Sequence, residues 1–140
     1  MNEIIFVREF ALLPKRTLTV KMDFEIAPIK PSIELADLDK IDIRVGTIVS
    51  VEAVEGSEKL MKLTVSFGDR RRVILAGIKQ ERADPNEIEG KQALFVVNLP
   101  PKKMRGVISE GMLFDIGYAD GLTPVLAIPE KQILDGARAG

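Results

Sequence analysis

The sequence contains no cysteine and no histidine. Without thiols there is neither a disulfide framework nor a thiolate zinc site, and without imidazole the commonest metal ligand and general base is missing, which excludes the usual nucleophilic triads. No cofactor and no metal are therefore expected. Tryptophan is absent too, and one Tyr and six Phe leave little ring surface for a base-stacking platform of the kind single-strand binders use. No apolar run approaches the roughly 18 residues of a membrane-spanning helix. Glu3, Arg8 and Glu9 interrupt the apolar residues of the N-terminus, so it lacks a signal-peptide core. A cytoplasmic location is the expectation. Internal repeats, low-complexity tracts and the glycine-rich GxGxxG or Walker phosphate loops are also missing.

What is present fits a folded domain. The 140 residues are 46% hydrophobic, enough chain to bury about two thirds of its unfolded surface around one core. A formal net charge of -1 and a pI near 5.6 argue against a protein dedicated to gripping polyanions. The charge is uneven, however: Lys59 to Arg105 carries 11 Lys/Arg against 5 Asp/Glu, a local balance of +6, while the segments on either side are acidic.

Residue periodicity predicts an all-β chain. TLTVKMDFEI, Thr17 to Ile26, alternates with Leu18, Val20, Met22, Phe24 and Ile26 on one face, so a strand over 17–26 is expected in an N-terminal extension, 1–34, that ends in the Pro28 and Pro31 connector. Ser32 or Asp37 is placed to cap a short turn through Lys40. From Ile41 a β-branched run containing Gly46 predicts a first strand that bends there. KLTVSF, with Leu63, Val65 and Phe67 on one side, then GDRR and RVILA predict a hairpin. Asp84-Pro85 starts a short helix through Glu89, ALFVVN is a fourth strand ending at Pro100-Pro101, and MLFDI and PVLAI supply two more short segments around the turn from Gly117 to Gly121. The economical architecture is a five-stranded Greek-key OB barrel over 35–140 with short appended helices.

Glu52 with Glu55, and Glu87 with Glu89, are the carboxylate pairs that an acid/base mechanism would need, but neither sits in a polar basin or a metal motif, and no catalytic role is expected. The stretch NLPPKKMRGVISEGM, Asn98 to Met112, stands out instead. It exposes Lys102, Lys103 and Arg105 in what reads as a rigid loop between apolar runs. On an OB barrel, ligands lie on the face of strands two and three and at the loops after strands one and four, which is where Lys59, Lys62, Arg70 to Arg72 and Lys102 to Arg105 fall. Those cations are expected to converge.

IDIRVGTI, EGSEKLMKL, AGI, NLPPKKMRGVISEGM and LDGAR, in that order and spacing from about Leu35 to Ala137, resemble the tRNA-binding domain found at the C-terminus of methionyl-tRNA synthetases, in free-standing tRNA-binding proteins and in endothelial monocyte-activating polypeptide. The resemblance implies an OB barrel that dimerises and binds folded tRNA by shape near its outer elbow. It also implies RNA contacts at Lys59, Lys62, Asn98, Lys102, Lys103, Arg105, Ser109 and Met112, with Arg70, Arg71 and Arg72 as additional basic contacts. Cations neutralise phosphates without reading sequence, and Asn or Ser can reach sugar or phosphate. Met112 is also readable as core, since Leu113 and Phe114 follow it. Residues 1–34 lie outside the motifs, and Met22 is a candidate start of such a protein.

The resulting expectation is a non-catalytic tRNA-binding homodimer that assists an aminoacyl-tRNA synthetase. GIKQ, Gly77 to Gln80, resembles a second branch with the same fold, the CsaA secretion chaperone, and keeps open unfolded polypeptide or the secretion machinery as the alternative partner.

Overall fold

Five strands follow one another around a curled antiparallel sheet in the order β3-β2-β1-β4-β7 in the computed structural model, which describes residues 24–140. The strands on this path are β1 (Ile43–Ala53), β2 (Met61–Ser66), β3 (Arg71–Ala76), β4 (Gln92–Val96) and β7 (Met112–Leu113). A last strand, β10 (Arg138–Ala139), pairs with the start of β1. Two hairpins complete the set: β5 (Lys102–Met104) with β6 (Val107–Ser109), and β8 (Asp115–Ile116) with β9 (Val125–Leu126). This is an all-β fold of the OB type.

Strand β1 is long enough to serve two partners because it bends. Its first half pairs with β4, its second half with β2, and a bulge between Ile48 and Ser50 shifts the register. Gly46 permits the bend: a Cβ there would lie 2.5 Å from Val65 Cγ1 and 2.8 Å from the Phe67 ring. Val65 and Phe67 occupy the space a side chain would take. The alternation of β2 puts Met61, Leu63 and Val65 inside, where they meet Ile48, Ile74, Ala93 and Phe95. Phe67 meets Phe95 edge to face with ring centroids 5.7 Å apart.

The short helix predicted from Asp84-Pro85 forms as a 3₁₀ turn, Pro85–Ile88, with the Asp84 carboxylate accepting from the Asn86 N–H and Ile88 plugging one end of the core. At the entrance to the barrel, α1 (Leu35–Leu38) is capped by Glu34, not Ser32, and Asp37 accepts from the Glu34 N–H. Four residues cannot form a helix with a buried stripe, and α1 buries none of its side chains. The strand expected over 17–26 lies outside the described residues as far as Asp23, and Phe24 to Ile26 are not in a strand. Pro31–Gly140 forms one compact unit.

Candidate nucleic-acid interface

The signature stretch is a β-hairpin, not the loop its prolines imply. Arg105 and Gly106 form a two-residue turn, both in the left-handed region (φ 52 and 80), as a type I′ connection requires. Arg105 is the one non-glycine residue with positive φ among the described residues. Asparagine is the usual occupant of that position, so holding an arginine there costs stability.

The hairpin is fastened to the open edge of β3. The Glu110 N–H donates to the Val73 carbonyl (2.8 Å), and the Leu75 N–H donates to Ser109 Oγ (3.0 Å), whose own hydroxyl donates to the Gly111 carbonyl (3.1 Å). Ser109 is only 3% exposed and closes the barrel through its hydroxyl. Its hydroxyl is engaged on both sides by the backbone, accepting from Leu75 and donating to Gly111. Because the hairpin runs along β3 toward Ala76, its tip arrives at the loop joining β1 to β2. An Arg105 guanidinium nitrogen lies 3.9 Å from the point where a Cβ on Gly56 would be.

That loop is itself a tight construction. Ser57 Oγ accepts from the N–H groups of Lys59 and Leu60, the Lys79 ammonium donates to the Ser57 carbonyl, and the Lys79 N–H donates to the Lys59 carbonyl. Lys59, Lys79 and Arg105 thus share one end of the barrel, and Lys102 and Lys103 extend from it along the hairpin. Lys79, within GIKQ, reaches this end only through the fold, since its partners Ser57 and Lys59 lie 20 or more positions earlier. Lys102 and Lys103 are both exposed, and strand alternation sends them to opposite faces: Lys103 with Ile108 outward, Lys102 opposite Ser109 at the barrel rim. Lys62 stands on the outer face of β2, partly neutralised by Glu52 across the ladder at 3.8 Å.

Other expected contacts lie elsewhere. Arg70 and Arg71 are exposed at the far end of the β2–β3 hairpin, where Arg71 pairs with Ser66, about 13 Å along the strand from Lys62. Arg72 clamps the barrel by donating to the carbonyls of Val97 (2.8 Å) and Glu110 (3.1 Å). The hairpin tip and the β1–β2 loop therefore come together, whereas Arg70 and Arg71 stand at the other end of the β2–β3 hairpin. Asn98 spends its amide on the backbone, accepting from the Asp42 N–H (3.0 Å) and donating to the Lys40 carbonyl (2.7 Å), which ties the end of β4 to the entry of β1. Met112 is 46% exposed and lines a cleft. Three of the four carboxylates that could form acid/base pairs are engaged: Glu52 with Lys62, Glu87 with Arg82 (2.7 Å), and Glu89 with the Val51 N–H (2.8 Å).

Residues 43–138 match the family described as "Putative tRNA binding domain". The chain belongs to that family. Over 136 residues it is 36% identical to the methionine–tRNA ligase of Parabacteroides distasonis, an alignment that takes in 97% of this chain and 20% of the ligase. The relationship thus reaches back into the segment before Leu35 that the motifs left out, and the chain spans about a fifth of that relative's length. Among solved structures, the MetRS related protein from Pyrococcus horikoshii superposes with a TM-score of 0.73 at 34% identity, covering 79% of this chain and 100% of that one. The chaperone CsaA from Bacillus anthracis superposes with a TM-score of 0.66 at 26% identity, again over 79% of this chain and 100% of that one. The chain is thus homologous to a part of methionine–tRNA ligases, and the CsaA fold is shared.

The turn at Arg105 gives a test in which stability and binding move in opposite directions. Arg105→Asn relieves the left-handed strain and raises stability by roughly 0.5–1 kcal/mol, because asparagine tolerates that conformation. It also removes the tip cation, so tRNA binding weakens about tenfold, the scale of one charged contact. Urea midpoints and gel shifts on the same preparations read both. A variant less stable than the parent would show that the guanidinium, not the turn, holds the hairpin in place.

Proposed function

We propose that the protein is a non-catalytic binder of folded tRNA that holds phosphates between the β5–β6 hairpin and the β1–β2 loop and serves a methionyl-tRNA synthetase. The observation that carries this reading is the meeting of Arg105 with Gly56, which brings cations more than forty residues apart onto one end of a small barrel. A rigid finger with ammonium groups on both faces suits a folded RNA, whose phosphates approach from two sides. It does not read a linear sequence. The cytoplasm is the corresponding location, and among the described residues no helix is long and apolar enough to cross a membrane. Gel shifts across a salt series test the binding: affinity for any tRNA falls steeply with salt, and binding indifferent to salt defeats the proposal.

The second reading, a holder of unfolded polypeptide, is favoured by the CsaA likeness and by exposed apolar residues beside the hairpin. Suppression of aggregation of an unfolded client that survives removal of the hairpin cations, together with absent tRNA binding, would establish it.

Assembly follows from the uncovered apolar surface of α1 and its flanks. Ile33, Leu35, Leu38 and Ile41 are each at least half exposed, which is costly for a monomer and ordinary for an isologous interface. A homodimer is the expected state, and two cationic ends acting on one tRNA raise the effective concentration of the second contact. Light scattering at micromolar concentration checks it. Leu35→Lys with Leu38→Lys yields a folded monomer; a wild-type monomer, or a double variant that stays dimeric, removes α1 from the interface.

A further inference from the structure

Few aromatic rings of the barrel reach its surface. Phe67 and Phe95 are core, whereas Phe114 is 42% and Tyr118 73% exposed. Both line a single cleft of about 620 Å³, within the range of small-ligand sites, together with Met112, Leu75 and two carboxylates, Glu81 and Asp115. Lys59 is on its rim, so the cleft opens directly beside the cationic end of the barrel. Its carboxylates are not paired with any cation of the cleft at ion-pair distance among the described residues. Neither the phosphate-led reading nor the folding of the barrel uses this arrangement.

We propose that this cleft captures one unstacked guanine of the bound RNA, its ring stacked on Tyr118 and Phe114 and its Watson–Crick edge donating to Asp115 and Glu81. The proposal rests on the tRNA-binding reading and adds to it a nucleobase subsite. An aromatic and thioether lining takes the π-face of any base, so the choice among bases falls to the polar groups. Carboxylates only accept hydrogen bonds. Guanine alone presents two adjacent donors, N1–H and the N2 amino group, to a single carboxylate, and its O6 remains for an ammonium such as Lys59. Cytosine and adenine offer one amino group flanked by a ring nitrogen whose lone pair a carboxylate repels. Uracil sets its one N–H between two carbonyl oxygens.

The electrostatics of the cleft agree. Burial pushes the Asp115 carboxyl above the usual carboxylate range, and burial followed by the charge of Asp115 does the same to Glu81. A paired donor edge relieves that penalty. A phosphate worsens it, so the backbone of the RNA is kept to the cationic rim while a base enters.

The test uses the full chain with its methionine methyl groups labelled, titrated in parallel with the 5′-monophosphates of guanosine, adenosine, cytidine and uridine, with an unfolded basic peptide, and by gel shift with tRNA. Tyr118 is the sole tyrosine and there is no tryptophan, so tyrosine fluorescence is a second reporter confined to the cleft. The guanosine nucleotide shifts the Met112 methyl and quenches Tyr118 at least tenfold more tightly than the other three. Asp115→Asn brings the four nucleotides to within about twofold of one another, and Tyr118→Ala weakens all four while leaving their order intact. Equal affinity for all four, or shifts absent from Met112, overturns guanine capture. If tRNA still binds in that case, the phosphate reading stands without it. Shifts at Met112 caused by the peptide alone, with tRNA unbound, defeat both readings and make the cleft a polypeptide site.

Discussion

Reversing both hairpin lysines, Lys102→Glu with Lys103→Glu, weakens tRNA binding by roughly a hundredfold at low salt. Each exposed lysine that meets a phosphate contributes a charge-assisted contact of about 1.5 kcal/mol, and two such contacts amount to about 3 kcal/mol. The loss is uniform across tRNAs, because ammonium groups carry no base information. The salt dependence flattens as well, by roughly 0.7 to 0.9 log unit for each contact removed. Stability is almost untouched, since the two side chains are exposed and neither belongs to an ion pair among the described residues. Because Lys102 and Lys103 project from opposite faces of the hairpin, the single reversals also discriminate. Similar losses from each place the finger between two phosphate runs, whereas a loss confined to Lys103 lays the RNA against its outer face. A double variant that binds normally removes the hairpin from the interface altogether.

The sequence made the barrel legible wherever side-chain period and turn chemistry agree. Leu63, Val65 and Phe67 alternate into the core, Gly46 bends β1, and Asp84-Pro85 opens a one-turn helix, each as its local pattern predicts. The signature stretch reads as a loop because Pro100 and Pro101 signal a break, while the hairpin beyond them depends on a left-handed arginine that no propensity favours. Ser109 and Asn98 illustrate a different gap. Polar side chains in a cationic segment read as contacts, yet both satisfy backbone groups of distant strands, Leu75 and Gly111 for one, Lys40 and Asp42 for the other. Arg72 is the same case: its guanidinium serves the carbonyls of Val97 and Glu110, which chain distance conceals. The carboxylates of the cleft are concealed in the same way. Glu81 and Asp115 are 34 positions apart, and only the closure of the barrel brings them together.

A single methyl at the C-terminal seam removes a large part of the domain's stability. Gly136, within LDGAR, holds a φ of 90, and a Cβ there would lie 2.5 Å from the Phe67 carbonyl oxygen, a backbone atom that no rotamer change can move. The residue cannot retreat either. Its N–H donates to the Val45 carbonyl (2.7 Å), the Val45 N–H donates to the Ala137 carbonyl (2.9 Å), and the neighbouring Asp135 carboxylate accepts from Thr47 (2.8 Å) and from Gln92 (2.9 Å). Any shift that relieves the methyl breaks the seam binding the last residues to β1, or moves Phe67 off Phe95. Gly136→Ala therefore pays the left-handed cost of about 1–2 kcal/mol and a clash of similar size or more, some 3 kcal/mol or above in a domain whose whole stability is of the order of 5–15 kcal/mol. Gly121→Ala is the reference, since Gly121 shares the left-handed conformation (φ 73) but has nothing within 4 Å of the added carbon. Urea unfolding of the two variants separates the terms: the reference loses only the conformational cost, and the seam variant loses at least twice as much. Equal losses would mean that the seam yields, and that the C-terminal strand is not what holds the barrel closed at this end.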